Sequence, residues 1–195
     1  TFDKRSMPRV DGQGATKLRA SSDGALWIGS VSGLTVYRDY QFRPIPAWYH
    51  DRTATVFDID ESPGGRILVS TVNGIGVVEG DALVPFFQGR PEDAPVCPEV
   101  ELIDNDSVIC VGYELSRVER THVTRLRAAE QFSGASVAST RDAQGRVWIS
   151  GRSPGLLRGD GQRFDPVTDG PGLPSGIVMA MKSSSNRSIY FVGSF

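Results

Sequence analysis

Histidine and cysteine are scarce, with two of each in 195 residues. Cys97, Cys110, His50 and His122 show no metal-ligand spacing, so neither a zinc site nor any other metal or cofactor is expected. Nucleophilic catalysis needs a serine or cysteine beside a histidine base and an orienting acid. His50 lies in Trp48-Tyr49-His50-Asp51-Arg52, His122 follows Arg120-Thr121, and no G-x-S-x-G elbow occurs. Long apolar runs are also missing. The longest pieces, Ile177 to Met181 and Ile189 to Val192, fall far short of the roughly 20 residues that cross a bilayer. Excess charge of one sign is absent too: 21 basic and 23 acidic residues leave a formal net charge of −2, which argues against the basic stripe of a nucleic-acid binder. No signal peptide opens the chain and its first residue is not Met, so it is expected to be a segment of something longer.

What the chain has is turns. With 22 glycines and 12 prolines it suits short strands better than helices, and 39% hydrophobic with 23% charged residues is a folding rather than a disordered composition. Asp23-Gly24 is a hairpin dipeptide, because a tight two-residue turn places its central residues at positive φ. Leu26-Trp27-Ile28 is a short β-favouring run, Ser32-Gly33 turns again, and Leu34-Thr35-Val36-Tyr37 alternates as a partner strand.

This unit repeats. From Trp27 the anchor recurs at Leu68, Ile109, Trp148 and Tyr190, each a little over or under 40 residues on. A turn precedes every anchor: Asp23-Gly24, Gly64-Gly65, Asn105-Asp106, Gln144-Gly145 and Ser185-Asn186. Four short strands per unit of about 40 residues predict all-β propeller blades over about 16–46, 55–87, 98–127 and 135–167, with a partial blade over 177–195. The third unit lacks the glycine before its third strand. Residues 1–10, which contain Phe2, are read as an outer strand of a preceding blade. A short helix is allowed only at Arg127 to Phe132. Four blades and a half do not close a ring, so the expectation is part of a larger propeller of about seven blades, or pairing with another copy.

The pattern of a D-G turn, then L-W-I-G-S, a short turn, G-L and an aromatic resembles the two-component-regulator propeller repeat. The match is best over Asp23 to Phe42 and good over Gln144 to Phe164, and Gly172-Leu173-Pro174-Ser175 looks like that family's link into the next blade. The resemblance implies a periplasmic or extracytoplasmic domain that senses a ligand or partner for a histidine kinase or diguanylate cyclase receptor. It implies membrane attachment only through segments outside this chain, and no catalysis within it. A protein–protein scaffold of the same fold is the alternative; a propeller lyase or hydrolase is the second.

The repeated residues have structural work. Trp27 and Trp148 are expected to fill the space between blades, and Gly33, Gly74 and Gly155 to turn the chain. Binding belongs to what does not repeat. Trp48, Tyr49, His50 and Arg52 form an aromatic cluster with a cation in a link between blades, a composition suited to a small-molecule or protein partner. The competing reading is that Trp48 and Tyr49 cover the core. Tyr113 and Arg152, at second-to-third-strand turns, are secondary candidates, and a homodimer through propeller faces is a further expectation. Asp58, Asp60, Glu61, Asp104, Asp106 and Asp142 are expected to be solvated turn acids, with a calcium or channel site as the alternative for Asp58 and Asp60. If residues 104–106 turn between antiparallel strands, Cys110 faces about position 100 and is offset from Cys97. That favours two small buried side chains over a disulfide, whose Cα atoms must lie within about 7 Å.

Overall fold

Strands form wherever a turn dipeptide releases the chain into a β-branched or aromatic run. The computed structural model describes residues 14–49, 55–90, 93–112, 114–126, 138–151, 155–168, 170, 173, 178–184 and 188–193. The first sheet holds β1 (Lys17–Ala20), β2 (Leu26–Ser30), β3 (Gly33–Arg38) and β4 (Gln41–Ile45). The second holds β5 (Val56–Glu61), β6 (Ile67–Thr71), β7 (Gly74–Glu79) and β8 (Ala82–Pro85). The third holds β9 (Glu99–Leu102), β10 (Ser107–Val111), β11 (Leu115–Glu119) and β12 (Val123–Arg125). The fourth holds β13 (Ala138–Arg141), β14 (Val147–Ser150), β15 (Leu156–Gly159) and β16 (Phe164–Pro166). β17 (Val178–Ser183) and β18 (Ile189–Gly193) pair as a half-blade.

Every neighbouring pair is antiparallel and joined in chain order, which is the meander of a propeller blade. The expected all-β propeller fold is therefore present, strand by strand, at the expected places. Among the described residues no helix is long and apolar enough to cross a membrane. Residues 1–10, the stretch Arg127 to Phe132 and Asn186 lie outside the described residues.

The chain divides into two compact units, Thr1–Cys97 and Pro98–Phe195. In the first, β2, β3 and β5 to β8 enclose a core of Trp27, Leu34, Val36, Ile59, Val69 and Leu83. Gly29 is required here, because a Cβ in its place would sit 2.4 Å from the Val56 side chain. Gly33 (φ 123°) opens β3 in a region that L side chains rarely adopt, as its place in the repeat predicts. The second unit has one core between the third and fourth sheets, built on Ile109, Leu115, Ile149 and Leu157. In the third blade Leu115 takes the buried place of Leu34, Ile75 and Leu156, so it is Glu114 that stands where the other blades carry glycine. A smaller cluster packs Trp148 and Phe191 with Met181, the two rings 6.4 Å apart and edge-on. The two tryptophans thus fill space between blades, as expected. On the other face of the half-blade, Met179, Tyr190 and Val192 are exposed.

First strands also bond across blades at the repeat period. Thr16 donates its hydroxyl to the Val56 carbonyl at 2.7 Å. Lys17 pairs with Asp58 at 2.6 Å and Arg19 with Asp60 at 3.1 Å. Glu61 accepts from the Ser22 amide at 2.9 Å and its hydroxyl at 2.5 Å. In the second unit Ser139 donates to Glu99 at 2.9 Å, Arg141 donates to the Leu102 carbonyl, and the Ser183 amide donates to Thr140 at 3.3 Å.

Two expectations need correction. Asp58, Asp60 and Asp142 are not solvated: each is under 10% exposed. They are buried because the facing blade, or their own turn, supplies cations and N–H donors that a local reading of turn chemistry does not see. Asp104 does behave as a turn acid, accepting from the Asp106 amide at 2.8 Å and the Ser107 hydroxyl at 2.9 Å. Second, Cys97 and Cys110 are disulfide-bonded, and neither is a free thiol. Cys110 does face Val100, as the register predicts. The ladder, however, begins at Glu99, so Cys97 precedes it and is not bound by its register.

Candidate functional site

Of the six residues singled out for binding, the described structure contains Trp48 and Tyr49. His50, Arg52, Tyr113 and Arg152 lie outside it. The link leaving β4 runs beside β8: the Leu83 amide donates to the Pro46 carbonyl at 2.8 Å, and Ala47 forms a parallel bridge with Leu83. That path lays Trp48 and Tyr49 against the core of the first unit, both half-buried. Their rings meet edge-on at 4.7 Å. Trp48 fits because residue 76 is glycine; a Cβ there would come within 2.5 Å of the indole. Burial pushes the Tyr49 phenol above its ordinary pKa, and the nearby Thr71 hydroxyl only partly offsets this. The Tyr49 hydroxyl is enclosed, with no hydrogen bond of good geometry. Both aromatics therefore cover core. His122 lies exposed in the turn before β12, its carbonyl accepting from the Glu119 amide at 2.8 Å.

A concave feature lies elsewhere in the first unit, between its two blades. Strand register explains it. Arg19, Trp27, Val36 and Arg43 stand opposite one another across β1, β2, β3 and β4, and Lys17, Gly29, Leu34 and Ile45 form the next row. Opposed residues share a sheet face, so one face carries cations at both ends and apolar groups between. At the inner end the cations meet Asp58 and Asp60. At the outer end the blades diverge into a cleft of about 230 Å³. Its floor is Trp27, Val36, Ile45, Ile67 and Val78. Its rim carries Arg38, Arg43, Arg66, Asp23 and Asp81.

Most rim charges are committed. Arg38 pairs with Asp23, and Arg66 with Glu79 at 3.0 Å. The Ser21 hydroxyl and the Ala25 amide, at 2.6 and 3.1 Å, together with Arg38 hold the Asp23 carboxyl below the usual carboxylate range. The side chains of Arg43 and Asp81 have no ion-pair or hydrogen-bond partner among the described residues. Sequence reasoning passed over Arg43. Its signal was the register, Trp27 to Val36 to Arg43, which a reading of separate strands does not assemble.

Two tryptophan clamps flank the turns at the same six-residue spacing. Trp27 donates its indole N–H to the Ser21 hydroxyl at 3.2 Å. Trp148 donates to the Asp142 carboxylate at 2.8 Å. Burial opposes the Asp142 charge, but donors from Trp148, Arg146 and Gln144 outweigh it and hold its pKa below the usual range. Among the described residues no three histidine, cysteine or acidic side chains are grouped to hold a metal ion.

No family model matches the sequence, and neither does any curated protein. Solved structures do resemble it. The extracellular domain described as that of the hybrid two-component system BT4673 from B. thetaiotaomicron superposes with a TM-score of 0.64 at 16% identity, over 92% of this chain and 25% of that one. The corresponding domain of BT3049, from the same organism, gives 0.66 at 12% identity, over 95% and 26%. Virginiamycin B lyase from Staphylococcus aureus gives 0.63 at 14% identity, over 89% and 61%. The chain thus spans about a quarter of the length of the extracellular domains it matches. At these identities the likeness shows the fold, a β-propeller, and the fold alone.

Proposed function

We propose that this chain is part of an extracytoplasmic β-propeller that senses a ligand or partner for a bacterial signalling receptor of the two-component or cyclase type. The supporting observation is the backbone likeness, over more than nine-tenths of the chain, to extracellular domains described as parts of two-component systems. The disulfide agrees with it, since disulfides persist in oxidising compartments and are rare in reducing cytosol. In this reading the segment binds and the output domain lies elsewhere in the protein; no catalysis is assigned to the segment.

The test uses the full reading frame in its native host. Removing residues 17–193 should abolish the transcriptional response to the inducing condition while the protein stays in the membrane fraction. A full-length product that is soluble and lacks an output domain would overturn the proposal. Thiol alkylation of intact cells before lysis checks the compartment: blocked cysteines agree with export, and two free thiols contradict it. A protein–protein scaffold is the second reading, favoured by the exposed Met179, Tyr190 and Val192 on the half-blade. It predicts stable capture of a second copy or another protein, with no signalling phenotype on deletion.

A further inference from the structure

We infer that the cleft between the first two blades binds a small organic carboxylate with an apolar body, held by Arg43. Three guanidiniums and two carboxylates line it, and Glu79 pairs Arg66 from beyond the lining, so the charges balance overall and the pull on an anion comes from the guanidinium left unpaired. Arg38 and Arg66 are engaged by Asp23 and Glu79, so the available cation is Arg43, at the end of the row that begins with Arg19. A guanidinium presents paired N–H donors in the fork that a carboxylate accepts. Next to it the face is apolar, Val36 and then Trp27, so a ligand anchored on Arg43 lays its body on hydrophobic surface. Size narrows the class. A volume of about 230 Å³ lies below the roughly 300–1,000 Å³ of pockets for drug-sized ligands, which suits one ring or a short branched chain. Asp81, also without a partner, stands on the same rim and disfavours a ligand with a second negative charge. This goes beyond the receptor reading and does not depend on it, because binding is measured on the isolated chain.

The experiment is titration calorimetry with phenylacetate, phenylacetamide and inorganic sulfate as probes. Phenylacetate should bind at one site with an affinity that falls as salt is added. Arg43→Gln should weaken it at least about tenfold, the effect of removing a charged hydrogen-bond partner. Arg43→Lys should fall between, and Asp81→Asn should tighten binding. Arg43 is exposed, so the Gln variant should keep the wild-type circular dichroism and melting curve. Phenylacetamide and sulfate should not bind, lacking the charge and the apolar body respectively. The inference is overturned if the amide binds as well as the acid, if Arg43→Gln leaves affinity unchanged, if sulfate competes equally, or if millimolar phenylacetate shows no saturable binding.

Discussion

The two units hold their blades together by different means. In the first, β1 and β5 meet through Lys17–Asp58 and Arg19–Asp60, with both acids buried. In the second, β9 meets β13 through a charged group set against a neutral one, Glu99 with the Ser139 hydroxyl and Arg141 with the Leu102 carbonyl, and β17 is met by β13 and β14 through hydroxyls, amides and carbonyls. The blades have the same strand order, and the bonds span nearly the same number of residues. The bonds described at β17 are neutral, so stacking does not rest on charge to the same degree at every seam. A buried ion pair gives back in attraction much of what desolvation takes away, so its main consequence lies in mismatch: a wrong neighbour leaves a carboxylate buried without its cation. Hydroxyl seams tolerate substitution more readily. The first unit reads as the more exacting pair.

The tryptophans give the largest test. Trp27 is only 6% exposed, and Trp27→Ala should cost about 3–5 kcal/mol. Trp148 is half-buried, so Trp148→Ala should cost about 2 kcal/mol, below that range. Equal losses in urea titrations would break the contrast. The seams come next. Arg19→Met removes the cation facing Asp60 and should cost about 2–3 kcal/mol, less than a fully buried pair because Arg19 is partly exposed. Ser139→Ala, at the matching seam of the second unit, should cost about 1 kcal/mol. Both clamps predict a dependence on acid, through Asp142 in one and through Asp23 behind Ser21 in the other. The native pKa of Asp142 is lowered, so its stabilisation is complete above the unfolded value of about 3.9 and is lost as pH falls through the native value. Asp142→Asn should therefore be weaker than wild type by about 1–2 kcal/mol at neutral pH, with the gap closing below about pH 4. In the Ser21–Trp27 clamp the ionisable partner is Asp23, which accepts from the Ser21 hydroxyl and has a lowered pKa, so the cost of Ser21→Ala should likewise shrink as pH falls through the native Asp23 value. The smallest effect belongs to the β3–β4 turn, where Asp39 (φ 52°) and Tyr40 (φ 61°) both hold positive φ. The corresponding turn of the fourth blade uses Asp160-Gly161, with Gly161 at φ 92°. Tyr40→Gly should raise the stability of the first unit by about 0.5–1 kcal/mol, measured by thermal melting.

Local chemistry made the strands legible. Turn dipeptides, short β-branched runs and a period near 40 residues place β1 to β18 without knowledge of any contact. Interactions between repeats were harder to read. Lys17 and Arg19 alternate, and so do Asp58 and Asp60 one period later. Only the assembled sheet shows that the alternations face each other. For the same reason Arg43 looked like an ordinary cation on an outer strand. Trp48 and Tyr49 stood out as a non-repeating aromatic pair, and the sequence left both binding and core open. The structure sets them on the core, since Gly76 clears the floor beneath the indole. Cys97 was misjudged because strand register was extended past the end of the strand.

The bridge between Ala47 and Leu83 also has a consequence in time. The start of the link leaving the first blade is fastened to the last strand of the second. On the ribosome the chain grows at about 5–20 residues per second, so Trp48 waits on the order of 2–7 s for β8 to be made. For most of that interval its indole has no floor of Gly76, and until the end of it no Leu83 beside it. The first blade is thus born with its exit unlatched, and the nascent chain should be most open to chaperones and proteases between those two events.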